Sequence, residues 1–456
     1  MYWANFIHIY QPPTQIPSIL KRVVNESYRK ILTGLLGNPQ ARLTLNINAC
    51  LTEMLAENGY QDVINKIRTL LERGQIELTA SGAYHPILPK LPPEEIRRQI
   101  ELNEEINRRH FGPSYQPAGF FPPEMAYNPE LGQIIKELGF KWVILDEVGL
   151  AQPFNPTKTY QNANGLGFFF RERSMSFKIL SAQLGTAKSL IRELSPRLSK
   201  NEYLLTAMDG ETFGHHRLGL EEILWEICKE PKLSTVTISS LLDLFPEKII
   251  IEPKSSSWAL TDTNLIKQQP FIRWEAPENE IQKKQWQLVN LAIQAVGQDG
   301  RPESRRRLDK ALYSDQFWWA SARPWWSLEM IEQGAKQLLE VITSTNDKVD
   351  QETKQKAQNL YFEIITSGFE WQRSGRVEEI ARKEDEEMRE RARSTNSHLT
   401  KEDYNQIIKS LRVQMLTAAK NEEYNRADQF KKRINELMAD RDQIPHEDSE
   451  EIKVNQ

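Results

Sequence analysis

The 456-residue sequence predicts an α/β fold built on a parallel sheet and followed by a helical region. Three observations predict it. Short apolar runs alternate with longer helical patterns through the first half, as strands alternate with crossover helices. Polar residues recur just past those runs, where parallel α/β folds present their ligand face. Beyond Pro246 the alternation stops and a helical, aromatic pattern replaces it.

Seven strands are expected: Asn5 to Ile9, Leu43 to Ile47, Gln75 to Thr79, Gly119 to Phe121, Trp142 to Leu145, Phe177 to Leu180 and Tyr203 to Ala207. The helices between them include Ile19 to Leu35, Cys50 to Glu72 with a break at Asn58-Gly59, Pro93 to Arg109, Asn128 to Leu138 and Gly185 to Leu194. Such a sheet can close into a barrel or stay open. Past the strands come, in order, His8, then Asn46 and Asn48, Ser81, Glu124, Asp146 and Glu147, and Asp209 with Glu211. Together they read as one site assembled from distant segments. For any one of them the alternative is ordinary loop polarity, and Asp146 and Glu147 suit a pocket wall and a surface loop equally.

The stretch 249–269 looks irregular, and 281–344 is helical and aromatic, including DQFWWASARPWW at Asp315 to Trp326. From Arg376 to Arg393, thirteen of eighteen residues are charged with mixed sign, the pattern of a solvated helix or linker. Two amphipathic helices, Lys401 to Ala419 and Tyr424 to Met438, meet at Lys420-Asn421, and the polar end HEDSEEIKVNQ is expected to be disordered. The chain thus divides into 1–248, 249–375, a charged linker 376–400, a hairpin 401–441 and a tail 442–456.

A net charge of -4 argues for neither nucleic acid nor a membrane surface as partner. Two distant cysteines, Cys50 and Cys228, suit a reducing compartment. The start MYWANFIHIY lacks a signal-peptide pattern, and no apolar run is long enough to span a membrane. The expectation is a cytoplasmic protein.

Two segments carry the chemistry. In GFFPPEMAYNPEL, Glu124 follows a strand and a Pro-Pro pair that stiffens its approach. In LLTAMDGETFGHHRLG, Asp209 stands where an apolar strand ends. Two carboxyls on one barrel face suit glycoside cleavage, with one group ionised and the other protonated. Each has a plainer reading: Glu124 as a cap for the helix near Pro129, and Asp209-Gly210 as a turn. Gly210 and Gly214 are expected to let the backbone bend closely around a bound sugar.

His8 in HIYQPP, Gly74 to Leu78 in GQIEL, Glu124 in FPPEMAY and Asp209 in MDGETFGHH resemble, in order, the motifs of glycoside hydrolase family 57. The similarity continues through WEAPENEIQKKQW at Trp274 to Trp286 and YSDQFWWAS at Tyr313 to Ser321, over roughly the first 340 residues. It implies an incomplete (β/α)7 barrel followed by an all-helical domain, and a retaining mechanism on α-linked glucans without a cofactor or metal. Glu124 would be the nucleophile and Asp209 the general acid/base, with His8 and Glu211 as substrate-positioning groups. His215, His216, Asp315, Trp318 and Trp319 are further candidates for substrate contact. Trp318 is expected to face the cleft, and Trp319, Trp325 and Trp326 to be mostly buried. Here the first motif reads HIYQPP, where many members have His-Gln-Pro directly.

Residues Met415 to Leu437 resemble the UVR motif, a short helical hairpin. Ala418, Ala419, Tyr424, Ala427, Phe430, Ile434 and Leu437 form its apolar seam, which implies a protein partner or a second copy. Two other functions fit the same residues: a zinc-dependent deacetylase using His8, Asp209 and His215 or His216, and a non-catalytic glucan-binding or regulatory protein.

Overall fold

The computed structural model describes residues 1–260, 262–323, 325–383, 401–420 and 424–442. Its strands are β1 (Tyr2–Ile9), β2 (Leu43–Ile47), β3 (Ile76–Thr79), β4 (Gly119–Phe120), β5 (Trp142–Asp146), β6 (Thr159–Gln161), β7 (Gly167–Arg171), β8 (Tyr203–Asp209), β9 (Ser234–Val236) and β10 (Lys248–Ile250). One sheet runs β3-β2-β1-β8, with β9 paired to the first half of β1, and the other runs β10-β6-β7-β5-β4. A parallel bridge between Ala80 and Phe120 joins them at β3 and β4. On the far side the Glu172 amide donates to the Leu205 carbonyl at 2.7 Å, as the link from β7 to β8. Seven parallel strands therefore curl into an incomplete (β/α)7 barrel.

The expected sixth strand is a correction. Phe177 to Leu180 lies in the helix Arg173–Leu180, which buries Met175, Ser176 and Ile179 at helical spacing. The strand is instead the aromatic run GFFFR of β7, whose Phe168 and Phe170 point outward and Phe169 inward. The expected helix from Ile19 is also broken, by a π-helical turn over Val24–Tyr28 between Pro17–Val23 and Arg29–Gly37.

Strand alternation decides what the barrel contains. Inward positions hold Ala4 and Phe6 of β1, Trp142 and Ile144 of β5, Phe169 of β7, and Tyr203, Leu205 and Ala207 of β8 in one interior cluster. The outward positions of β1, β2, β3 and β8 pack on the surrounding helices, while those of β5 and β7 share a second core with the helical region. That region comprises Glu280–Asp299, Pro302–Ala311, Asp315–Trp318, Leu328–Thr343 and Gln351–Ser374. Two ion-pair clusters fasten it to the barrel helix Pro93–Phe111: Arg98 with Asp309, and Arg305 with Glu95.

Helices Lys401–Lys420 and Tyr424–Asp442 pack on each other through Tyr404, Ile408, Leu411, Ile434 and Leu437, a core separate from the others. Of the expected seam, Phe430 and Ala427 are half-buried and Ala419 is exposed, because the first helix turns Tyr404, Ile408 and Leu411 inward instead. The side chains of Ala418 and Tyr424, the linker from 384 to 400 and the tail from 443 lie outside the described residues. Among the described residues no helix is long and apolar enough to cross a membrane.

Candidate active site

The inward parity that places Phe6 and Ala207 inside the barrel carries the next inward residues to its carboxyl-end mouth. Strand register sets Asp209, His8, Asn46 and Thr79 side by side across β8, β1, β2 and β3. On the opposite wall Asp146 stands beside Arg171.

His8 begins a chain of hydrogen bonds. The Asn46 amide donates to Thr79 Oγ1 at 2.9 Å, so its oxygen accepts from His8 Nδ1 at 2.8 Å. Nδ1 then carries the hydrogen of a neutral ring, and His8 Nε2 accepts from His85 Nε2 at 3.1 Å. His85 Nδ1 accepts in turn from Ser314 Oγ at 2.9 Å. Both rings are neutral for the same chief reason: burial lowers His8 to about 4 and His85 well below its usual value. The Ser314 amide also donates to the His85 carbonyl at 3.0 Å, so the helical region clasps this loop twice. Tyr10 stacks on His85 with ring centres 3.9 Å apart and donates its hydroxyl to Asp315 at 2.6 Å.

Glu124 adopts left-handed backbone angles, φ 61° and ψ 16°, and Met125 follows with φ 48°. Neither is glycine, so each costs about 1–3 kcal/mol that surrounding contacts must offset. The contacts are visible. The Glu124 carbonyl accepts from the Trp258 amide at 3.1 Å, and Tyr127 and Ser256 exchange backbone bonds of 2.9 and 3.1 Å. The Glu124 Oε2 accepts from Trp258 Nε1 at 2.7 Å, while Oε1 is 3.9 Å from His85 Nδ1. Glu124 caps no helix, because Asn128 Oδ1 accepts from the Leu131 amide at 2.8 Å and fills that role.

Four carboxyls at this mouth are held above their ordinary range, each first by burial. Glu124 is pushed up to about 8, with the charges of Asp315 and Asp209 adding and the Trp258 bond opposing. Asp209 rises to about 6, with the positive charge of Arg171 restraining the rise and the charge of Asp315 adding to it. Glu211 rises to about 7, raised further by Asp209 and restrained by Tyr28. Asp315 rises to about 6. Glu124 therefore feels the charge of Asp209.

The π-helical turn supports the loop after β8. Its three consecutive side chains reach that loop: Glu26 accepts from His215 Nδ1 at 2.5 Å, Ser27 donates to the Gly210 carbonyl at 2.8 Å, and Tyr28 donates to Glu211. Gln11, the glutamine of HIYQPP, also donates to Glu211, at 3.0 Å. The two glycines allow this packing. A side chain at Gly214 would meet the Glu26 carbonyl at 2.1 Å, and one at Gly210 would meet Ile9 at 2.4 Å. His216 is exposed.

The expected aromatic wall is partly corrected. Trp318 is half-buried on Trp274, with centres 5.5 Å apart, and Trp319 is half-buried near Trp325. Trp325 is 56 % exposed instead of mostly buried, since it lies past the short helix and outside the core that Trp326 joins through Trp371. Asp146 is fully buried and bonded to Arg171 at 2.6 Å, so it belongs to the wall and not to a surface loop. Sequence reasoning did not single out His85, Tyr10, Arg171, Ser314 or Trp258.

Fold and site define an incomplete α/β barrel with an acid-lined, aromatic-walled mouth. The sequence model of glycosyl hydrolase family 57 matches residues 5–253, more than half of the chain. The chain belongs to glycosyl hydrolase family 57. It is 25 % identical over 286 residues to an alpha-amylase of Pyrococcus horikoshii, covering 59 % of this chain and 44 % of that protein. A 4-alpha-glucanotransferase of Thermococcus litoralis is 23 % identical over 360 residues, covering 68 % and 53 %. The crystal structure of a 4-alpha-glucanotransferase from Thermococcus litoralis superposes with a TM-score of 0.62 at 19 % identity, covering 76 % of this chain and 59 % of that one. A branching enzyme from Pyrococcus horikoshii gives 0.61 at 16 % identity, covering 79 % and 94 %. The chain spans about half the length of the curated relatives it matches.

Proposed function

We propose that this protein is a retaining glycoside hydrolase or glucanotransferase of the α-amylase, 4-α-glucanotransferase or branching type, acting on α-linked glucans through a glycosyl-enzyme. The observation that carries the reading is that Glu124 and Asp209, both half-buried, stand at the barrel mouth close enough for the charge of Asp209 to raise Glu124. Glu124 attacks the anomeric carbon as the glycosidic C–O bond breaks and Asp209 gives its proton to the departing oxygen. Water or a sugar hydroxyl then replaces Glu124, and Asp209 takes back a proton. Before substrate binds, the last proton of the pair sits on Glu124, so the reacting form, Glu124 ionised and Asp209 protonated, is the minor arrangement. Its fraction is constant wherever the pair holds one proton, so kcat/KM follows a bell centred near pH 7.

His8, Glu211, Asp315, Trp318 and Trp319 position the sugar, with His215 and His216 on the adjoining loop. His8 bonds Asn46 and His85 through its two nitrogens, and His215 bonds Glu26, which favours this role over zinc ligation. The hairpin 401–441 is a protein-interaction module joined to a catalytic unit of barrel, 1–248, and helical domain, 249–375.

A 5-fluoro-α-glucosyl fluoride, followed by peptide mass spectrometry, is expected to label Glu124. Asp209→Asn is expected to lower kcat on maltooligosaccharides by about 10²- to 10⁴-fold. Label on another residue, or unchanged turnover in both Glu124→Ala and Asp209→Asn, overturns the reading. Longer products from a panel of α-glucans mean transfer, and reducing-end release alone means hydrolysis.

A further inference from the structure

Trp258 lies beyond the span matched by the family and in a stretch whose sequence pattern is irregular. Yet the strap that carries it is tied down along its length. The Lys254 amide donates to the Gly149 carbonyl at 2.9 Å, Ser256 pairs with Tyr127, and Ser257 Oγ donates to the Pro270 carbonyl at 2.7 Å. The Trp258 carbonyl accepts from Arg171 Nη2 at 3.2 Å, and the same guanidinium lies 5.2 Å from the indole centre. The other ring neighbours are Phe121 at 5.8 Å and His8 at 6.2 Å.

Resting on the function proposed above, we propose that Trp258 is a positioning residue that anchors Oε2 of Glu124 and leaves Oε1 as the attacking oxygen. An indole N–H donates and cannot accept, so it bonds the ionised carboxyl more strongly than the protonated one. It opposes burial and the charges of Asp315 and Asp209, which hold the proton on Glu124. Arg171 holds the anchor through the Trp258 carbonyl and ring, and its charge also acts on Asp209.

A quantitative signature follows from the protonation scheme. Losing the donor raises Glu124, which moves the alkaline limb of the bell upward. It also thins the reacting form by the same factor, because each unit of displacement costs tenfold in its population. Trp258→Phe keeps a ring against Arg171 and Phe121 and leaves both backbone bonds possible. The expected result is a fall in kcat/KM of about tenfold to a hundredfold, the usual worth of a hydrogen bond to a charged group. The alkaline limb should rise by the matching one to two units, with KM within about twofold of the wild type.

A second readout needs no turnover. In protein labelled with ¹³C-carboxyl glutamate, the Glu124 line, assigned by its loss in Glu124→Gln, should titrate at higher pH in Trp258→Phe. Unmoved limbs and an unmoved titration overturn the proposal, even where activity falls. Full turnover by Glu124→Gln sinks the function assignment instead, and so separates the two failures.

Discussion

Replacing Arg171 with methionine tests whether the far wall of the barrel mouth is held by one buried cation. Its Nε lies 2.6 Å from Asp146 Oδ2, Nη1 donates to the Ala207 carbonyl at 3.1 Å and Nη2 to the Trp258 carbonyl. The Asp146 side chain is fully buried and that of Arg171 is 11 % exposed. Methionine preserves length and leaves Asp146, among the described residues, with only the Val148 amide as partner, at 3.1 Å. An unpaired buried carboxylate costs about 3–5 kcal/mol, so equilibrium urea unfolding should show a loss of that size. Arg171→Met/Asp146→Asn keeps the amide acceptor without the charge and should regain about 2–3 kcal/mol of it. The remainder is the loss of two carbonyl bonds at about 0.5–1.5 kcal/mol each. The acid limb of the bell should also move to higher pH, because the charge that restrains Asp209 is gone. A single variant as stable as the wild type, or a double variant no better than the single, refutes the reasoning.

Tyr28→Phe leaves Glu211 with Gln11 as its remaining side-chain donor and should cost about 1–3 kcal/mol. The lost bond favours the ionised form, so the thermal midpoint deficit should be larger at pH 8 than at pH 6. The wild type should lose stability as pH rises from about 6.5 to 8. Glu124 and Glu211 are raised in the folded state to about 8 and 7, so over that window the folded chain binds more protons than the unfolded one. Below about 6.5 the buried neutral His8 and His85 oppose the trend, since both must gain a proton on unfolding. Thermal midpoints that climb between pH 6.5 and 8 would contradict both assignments.

Much of the barrel was legible because its strands are fully buried and short, with polar residues at one end. His8, Glu124 and Asp209 were visible for the same reason, each lying at or just past a strand end. The misplaced sixth strand shows the limit of short windows. FKIL at Phe177 to Leu180 is too brief to separate a period of two from one of 3.6, whereas helix Arg173–Leu180 buries residues three and four apart. His85 and Trp258 were hidden because tertiary bonds deliver them. His85 sits several residues past β3 with φ 57°, and Trp258 gains its place only by pairing with Glu124 across 134 positions. The π-helical turn left no mark on a helical pattern that runs straight through it.

The reach of Ser314 and Asp315 into the barrel mouth bears on how the chain can be divided. A fragment ending where the family match ends, at residue 253, would keep Glu124 and Asp209. It would nonetheless strip His85 of its donor, Tyr10 of its acceptor and Glu124 of its indole. Such a half-molecule would own both acids and no way to aim them.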